Sequence, residues 1–204
     1  MKCISCKDTG IMVRKVLKEA FPGVKFTVNT KGGSLRVSYG DGPCPSIVEG
    51  VVDIFAGSYF DSAIDYQGSQ YVFIDGEPAS FDTSFVFVWR YHSEAGLLRG
   101  VSLLRAKYPE NLKAIGLSDD EIAARYKEGN LYGVDLFLGT GSADSLRREL
   151  NSILYKLSDR FAPSPSPTRA TLRSAGDDGY GQGTVGDLRN GATAPTTEIG
   201  YPHH

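Results

Sequence analysis

Apolar positions along this chain recur first at helical and then at strand spacing. Val13, Val16, Leu17 and Ala20, with Met12 beside them, share one side of a helical wheel whose other side carries Arg14, Lys15 and Lys18. The spacing predicts an amphipathic helix opened by Asp8 or Thr9, whose short side-chain oxygens can accept from the free amides of a first turn. Phe21-Pro22-Gly23 closes it, because proline disfavours helical geometry in the residue before it and glycine takes the turn conformation that follows. The period then changes to two. Val24, Phe26 and Val28 alternate with Lys25 and Thr27, and Leu35, Val37 and Tyr39 alternate with Arg36 and Ser38, which predicts two strands joined by a hairpin loop at Lys31-Gly32-Gly33.

After a proline-bearing turn at 41–46, Ile47, Val48, Val51, Val52 and Phe55 predict a helix from about Ser46 to Phe55. Residues 58–69 are acidic and carry no period, so an irregular segment is expected. Tyr71–Ile74 and Phe85–Tyr91 read as strands parted by a turn at Asp75–Pro78. The second is dense in aromatic and β-branched residues, which predicts a central place in the sheet. The order α-β-β-α-β-β predicts an α+β fold over residues 1–93, an antiparallel sheet with helices packed on one face. Residues 94–161 then read as a helix-rich extension with one strand. Its helices fall at Ala95–Tyr108, after the capping box Ser118–Glu121, and at Asp144–Phe161, and Leu131–Leu138 supplies the strand. From Ala162 the composition turns to Pro, Gly, Ser and Thr. Too few large apolar groups remain to offset the entropy of ordering, so a disordered tail over 162–204 is expected.

A length of 204 residues with 41% hydrophobic and 23% charged residues fits a globular chain with one full core. No run approaches the roughly 18 apolar residues of a membrane span, and no apolar stretch of a secretion signal follows Met1, so the expected compartment is the cytoplasm, with no membrane partner. Cys3, Cys6 and Cys44 are too few for a disulfide scaffold, in keeping with a reducing compartment. The net charge of −2 conceals a segregation. Residues 1–40 hold eight basic against two acidic side chains, and residues 41–93 hold eight acidic against one basic.

Within that layout a few groups invite chemistry. Arg14, Lys15, Lys18, Lys25 and Arg36 could meet a phosphate backbone or form a solvated face, and a pI of 5.9 sits well below that of a dedicated nucleic-acid binder. Asp61 and Asp65 are four apart, which on a helix would set two carboxylates on one face for a metal or acid-base role. Gly57 and Gly68 around them favour irregular backbone instead, in which an Asp bonds loop amides, and Asp75 and Asp82 read as turn acids. Cys3-Ile4-Ser5-Cys6 has the spacing of half a zinc site, whose other ligands would have to come from Cys44, His92 or His203-His204, or of a redox pair, but reads first as Cys6 packed as a small group at the helix start; were the thiols functional, their place before a helix near Lys2 and Lys7 would lower the thiol pKa. Thr140-Gly141-Ser142-Ala143-Asp144 lacks the Gly-Lys-Ser/Thr of a phosphate loop and reads as a turn and cap. Pro163–Pro167 reads as a linker or a proline-rich ligand. No catalytic, metal-binding or cofactor-binding residue is assigned.

The stretches LKEAFPGVKF, LRVSYGDGP, FAGSYFDSAIDY and FVFVWRYHS, in that order, resemble one of the large polyvalent protein-associated domain families over about Ile4 to Ser93. The resemblance implies an accessory module of phages, plasmids or conjugative elements, and it implies neither a reaction nor catalytic residues. The expectation is therefore a non-enzymatic accessory protein of a mobile genetic element that binds a host or element-encoded protein, in counter-defence or DNA transfer. A second reading is nucleic-acid binding through the basic helix and hairpin. A third is a metal-dependent enzyme built on Asp61 and Asp65.

Overall fold

The computed structural model describes residues 1–139, 144–158 and 161–180. Within them the chain forms an α+β fold that becomes helix-rich after residue 94. Two compact units can be separated. The first takes Met1–Val37, Val48–Val88 and the segment from Pro163, and the second takes Ser38–Ile47 and Trp89–Ala162. Compactness thus cuts across the boundary placed at residue 93 from sequence, because the chain leaves the first unit twice and returns to it at the end.

In the first unit a short strand β1 (Lys2–Ile4) leads into helix α1 (Cys6–Ala20). The helix starts ahead of the expected Asp8 or Thr9. Ser5 is its cap, accepting the Asp8 amide at 3.2 Å and donating its hydroxyl to Asp8 Oδ2 at 2.6 Å. Val13, Val16 and Leu17 are fully buried. Strands β2 (Phe26–Lys31) and β3 (Ser34–Gly40) follow, joined through Gly32 (φ 58°) and Gly33 (φ 74°), the left-handed pair that a two-residue turn of primed type requires. Helix α2 (Pro45–Val52) ends in a 3-10 turn, Asp53–Phe55, and buries Phe55 against Phe81 at a ring separation of 5.3 Å.

The segment expected to be irregular is a hairpin. Strands β4 (Ser58–Asp61) and β5 (Tyr66–Ile74) pair antiparallel, with Asp61 opposite Tyr66. Strand β6 (Glu77–Phe81), which begins inside the turn expected at Asp75–Pro78, pairs with β5 on one side and β1 on the other. The β1–β6 pairing is parallel, so the sheet is mixed where an antiparallel one was expected. There are also two sheets instead of one: β1-β6-β5-β4, with β8 (Leu172–Asp177) added to β5, and a three-stranded sheet ordered β2-β3-β7, where β7 is Val86–Tyr91.

Strand β8 (Leu172–Asp177) and the preceding helix α7 (Pro167–Ala170) correct the expectation of a disordered tail from Ala162. Strand β4 pairs residues 66–69 of β5, and β8 continues along the same strand over residues 70–74. The approach to β8 is held by polar contacts. Ser164 N–H donates to Ala20 O, and Glu19 accepts from Ser166 Oγ, Thr168 N and Thr168 Oγ1. The proline-rich stretch is thereby tied to the end of α1, with Pro167 in the first turn of α7.

In the second unit, helices α3 (Glu94–Lys107), α4 (Pro109–Ile115), α5 (Asp119–Lys127) and α6 (Ser145–Lys156) enclose a core of leucines that includes Leu97, Leu104, Leu112, Leu146 and Leu150. The capping box at Ser118 and Glu121 forms as read from sequence. Leu131–Leu138 is a series of turns and not a strand. Gly133 (φ 84°) and Leu138 (φ 40°) break the extended path, and Asp135 folds the segment over by accepting from Phe137 N, Gly139 N and Ser145 Oγ. That fold sends Leu131 and Leu136 together into the helical core.

Candidate nucleic-acid interface

Alternation along β2 and β3 assigns their faces. Val28, Leu35, Val37 and Tyr39 are buried, and α1 lies on their side, since a methyl group on Gly10 would come within 3.4 Å of Leu35 Cδ2. The opposite face presents Thr27, Asn29 and Lys31 from β2 and Ser34 and Arg36 from β3, with Lys25 exposed just before β2.

Strand β7 is an edge strand of this sheet, contrary to the central position expected from its aromatic content. Its start is fixed to β3 where Leu35 N–H donates to Phe85 O at 2.9 Å and Ser84 N–H to Gly33 O at 2.8 Å. The large rings point away from the core. Phe87, Trp89 and Tyr91 are 51%, 49% and 58% exposed, while Val86, Val88 and Arg90 between them are half-buried. Phe85 falls in phase with the exposed rings, its centroid 6.1 Å from that of Phe87. Phe85–Val88 belongs with the first unit and Trp89–Tyr91 with the second, and the alternation is a property of the single strand. Ring density predicts a central strand, but the phase carries the signal: F-x-F-x-W-x-Y sets the rings at alternate positions of the strand. None of β2, β3 and β7 contains an Asp or Glu.

The five cations singled out from sequence fall on two layers. Arg14, Lys15 and Lys18 belong to α1, on the inner side of the sheet. Arg14 Nη2 donates to Val28 O at 2.6 Å, and Lys15 is close enough to Glu19 to help hold that carboxyl below its usual range, after the larger effect of the Ser166 hydrogen bond. Lys25 and Arg36 lie with the outer face, where Lys31 joins them. From sequence alone Lys31 reads as part of the hairpin loop.

The acids are dispersed. Asp61 ends β4 and accepts the Ala63 amide at 2.9 Å, and Asp65 closes the same hairpin loop in left-handed backbone at φ 50°. They stand at the two ends of a turn and not on one helical face. Asp75 (φ 51°) and Asp82 are exposed. Among the described residues no three His, Cys, Asp or Glu side chains gather as a metal ion would require. Cys3 is exposed on β1, Cys6 opens α1, and Cys44 is buried. Burial acts to raise the Cys44 thiol, but hydrogen bonding to Ser46 and Tyr155 and the nearby Arg90 charge hold it below its usual value. Thr140–Ala143 of the loop read from sequence lie outside the described residues; Asp144 stands at the start of α6.

A cleft of about 300 Å³ opens in the second unit beside Asp41, His92, Gly96 and Arg99. Asp41 adopts left-handed backbone and accepts the Ser93 amide at 3.0 Å, with Oδ1 lying 3.9 Å from His92 Nδ1. Its carboxylate occupies the space a side chain at Gly96 would fill. Burial and the Arg90 charge lower the His92 pKa against the opposing pull of Asp41. Asp41 therefore serves the amino end of α3, and the spacing to His92 is too long for a hydrogen bond between them.

Residues 4–93 match the model of a family described as large polyvalent protein associated domain 29. No curated protein and no solved structure matches the chain. The matched region holds the hairpin and all of β7 and stops well short of α7 and β8, so the strand that completes β5 lies outside it.

Proposed function

We propose that this protein is a non-enzymatic accessory protein of a mobile genetic element and that it acts by binding nucleic acid. The observation that carries the reading lies in the first unit, on the outer face of β2, β3 and the start of β7, where Lys25, Lys31 and Arg36 accompany the exposed ring of Phe87 on strands free of acidic residues. Cations release the counterions of a phosphate backbone, and a local cluster of them attracts phosphate whatever the net charge of the whole chain. Among the described residues no helix is long and apolar enough to cross a membrane. The family context supports an element-encoded accessory role, and of the two roles such a context suggests, DNA transfer fits a nucleic-acid ligand better than counter-defence does.

Fluorescence anisotropy with labelled oligonucleotides over a salt series tests this. Reversing Lys25, Lys31 and Arg36 to Glu should weaken binding and flatten the plot of log affinity against log salt by about 2 in slope, at roughly 0.7 per lost contact on a single strand. Lys15→Glu and Lys18→Glu, on the other layer, should change it far less. An affinity indifferent to salt and to these reversals would sink the proposal. A protein partner, host or element-encoded, is the second reading. It is favoured by the position of β7 at the sheet edge, whose backbone can accept an added strand.

A further inference from the structure

We propose that the strap of residues 163–178 exchanges between copies of this chain, β8 of one molecule filling the slot along residues 70–74 of β5 in another. Every contact involved lies within the first unit, and none belongs to the face assigned to nucleic acid.

The slot is part of the sheet without β8. Strand β5 runs over nine residues, Tyr66–Ile74, and β4 covers one edge of it only from Tyr66 to Ser69. Strand β6 lies along the other edge at Val72 to Ile74. The first edge is thus left open beyond Ser69, above the buried side chains of Tyr71 and Val72, and β8 fills it antiparallel, from Ile74 opposite Leu172 to Gln70 opposite Asp177. An edge of this kind demands a strand, because each unpaired amide or carbonyl in it is a lost hydrogen bond. Residues 4–93, the family-matched stretch, contain β4, β5 and β6, whereas the strand that covers this edge comes from beyond residue 170.

The strap keeps its own local structure and has a small apolar hold on the slot. Ser166 accepts the Arg169 amide at 3.0 Å, Thr171 Oγ1 donates to Thr168 O at 3.0 Å, and Arg169 Nη1 donates to Leu172 O at 3.3 Å. The turn that leads into β8 therefore travels with it. Of the strap's apolar side chains only Leu172 and Ala175 are buried. The other contacts are backbone pairing and directed polar bonds, to Glu19 from Ser166 and Thr168 and from Tyr59, Tyr66 and Ser69 to Asp178. Such bonds are traded for bonds to water at small net cost, and segments with few buried apolar contacts are the first to open.

Those directed contacts also select what refills the slot. A strand of other sequence brings pairing but no carboxylate at the Asp178 position and no hydroxyls for Glu19. A second copy brings all of them in the same register. Contacts made within one molecule and between two are then alike, and concentration and the connecting chain set the balance between them. The connection is a single crossing, from the second unit to the first between Ala162 and Pro163. Pro163, Pro165 and Pro167 fix their own φ and push the residues before them toward extended backbone, as at Ser166 (φ −106°, ψ 112°), which disfavours a tight turn back.

Phe73 and Arg173 stand opposite one another across β5 and β8. Full-length Phe73→Cys and Arg173→Cys proteins, each also carrying Cys3→Ser and Cys6→Ser so that only the buried Cys44 remains of the natural thiols, are mixed and oxidised. Exchange should give a disulfide-linked dimer on non-reducing gels that neither protein gives alone. The dimer should be lost when Lys25→Cys, away from the slot, replaces Phe73→Cys. Asp178→Ala in both partners removes the acceptor of three donors and should speed linkage by about 5- to 150-fold. Both cysteines in one molecule should instead close an internal disulfide, which reports that the variants fold and that the strap is seated. Gln70→Cys with Asp177→Cys, opposed in the same ladder, repeats the test if Phe73→Cys does not fold. An internal disulfide with no linkage in the mixture would overturn the proposal, as would equal linkage to Lys25→Cys. Excess free peptide of residues 163–180 should block linkage. An unrelated strand-forming peptide that blocked it equally would overturn exchange between copies and make the slot a general strand-binding site.

Discussion

The Tyr59 hydroxyl donates to Asp178 Oδ1 at 2.9 Å, joining two residues 119 positions apart. Asp178 is buried, and its other oxygen accepts from the Tyr66 hydroxyl at 3.0 Å and the Ser69 amide at 2.7 Å. Gly68 makes room for the Tyr59 ring, which lies where a side chain there would stand. One carboxylate thus fastens the end of β8 to the β4–β5 hairpin. Asp178→Ala leaves the Ser69 amide and two hydroxyls without their acceptor, and the first unit should lose about 2–4 kcal/mol. Urea unfolding of the variant against the natural protein measures it, and an unchanged midpoint would show the clasp to be idle.

Two carboxyls on this C-terminal segment's contacts make it sensitive to acid. At Asp178 burial pushes the pKa up, but the hydrogen bonds from Ser69, Tyr59 and Tyr66 outweigh it, leaving the group below its ordinary 3.8. At Glu19 the Ser166 hydrogen bond leads in lowering the group below its ordinary 4.5. Both bind protons less readily folded than unfolded. Their stabilisation is therefore complete above those ordinary values and is lost as pH falls through them toward the depressed folded values. The melting temperature should hold from neutral pH to about 5 and then drop. Asp178→Asn, which cannot titrate, should start lower at neutral pH and fall less steeply, as thermal melts across the acid range will show.

Ending the chain after Ala162 should destabilise the first unit although the family match stops at residue 93. The truncation removes the contacts to Glu19 and the Asp178 clasp, uncovers β5 over residues 70–74, and takes away the buried side chain of Leu172. Burial of one leucine alone contributes about 1.5–3 kcal/mol. An uncovered strand edge also pairs with other chains, so light scattering on warming should rise earlier for the shortened protein. A melting temperature equal to that of the full chain would contradict this.

The parts of the fold legible in the sequence are those whose stability is local. Helix α1 and the β2–β3 hairpin carry strong periods of 3.6 and two with clear turn residues, and Ser118 to Glu121 is a self-contained capping box. Strands β1, β6 and β8 are short, and their hydrogen bonds are supplied by partners distant in sequence, so no window around them announces a strand. Strand β8 buries little beyond Leu172 and Ala175 and is held by backbone pairing and by Asp178, which composition cannot register. The same limit hid the candidate interface. The cations were visible one by one, but only the pairing of β3 with β7 shows which strands they share a sheet with, and only the sheet order shows that β7 lies at its edge.

Gly57 lies between the 3-10 turn and β4, with its amide donating to Thr83 O at 2.6 Å. A methyl group there would run into the Phe81 carbonyl oxygen and crowd Thr83 O. Both obstacles are backbone and cannot swing aside as a side chain could. Gly57→Ala should therefore cost about 1–3 kcal/mol or more, despite the lower conformational entropy alanine gives the unfolded chain. Denaturant unfolding decides the sign, and a stabilised variant would mean that the approach of residue 57 to residues 81–83 is looser than the distances indicate.

Thr83 calls for the opposite substitution. The residue is 1% exposed, and among the described residues its Oγ1 has no hydrogen-bond partner. A buried hydroxyl without a partner keeps the cost of leaving water and returns nothing for it, so replacing it with a methyl of similar size removes a penalty. Its backbone carbonyl, which holds Gly57, is untouched by the change. Thr83→Val should raise stability by about 1 kcal/mol, and Thr83→Ser, which keeps the hydroxyl and deletes the methyl, should lower it by a similar amount. If instead valine destabilises and serine is neutral, the hydroxyl has a partner, and a buried water bridging it to the turn is the first candidate to seek.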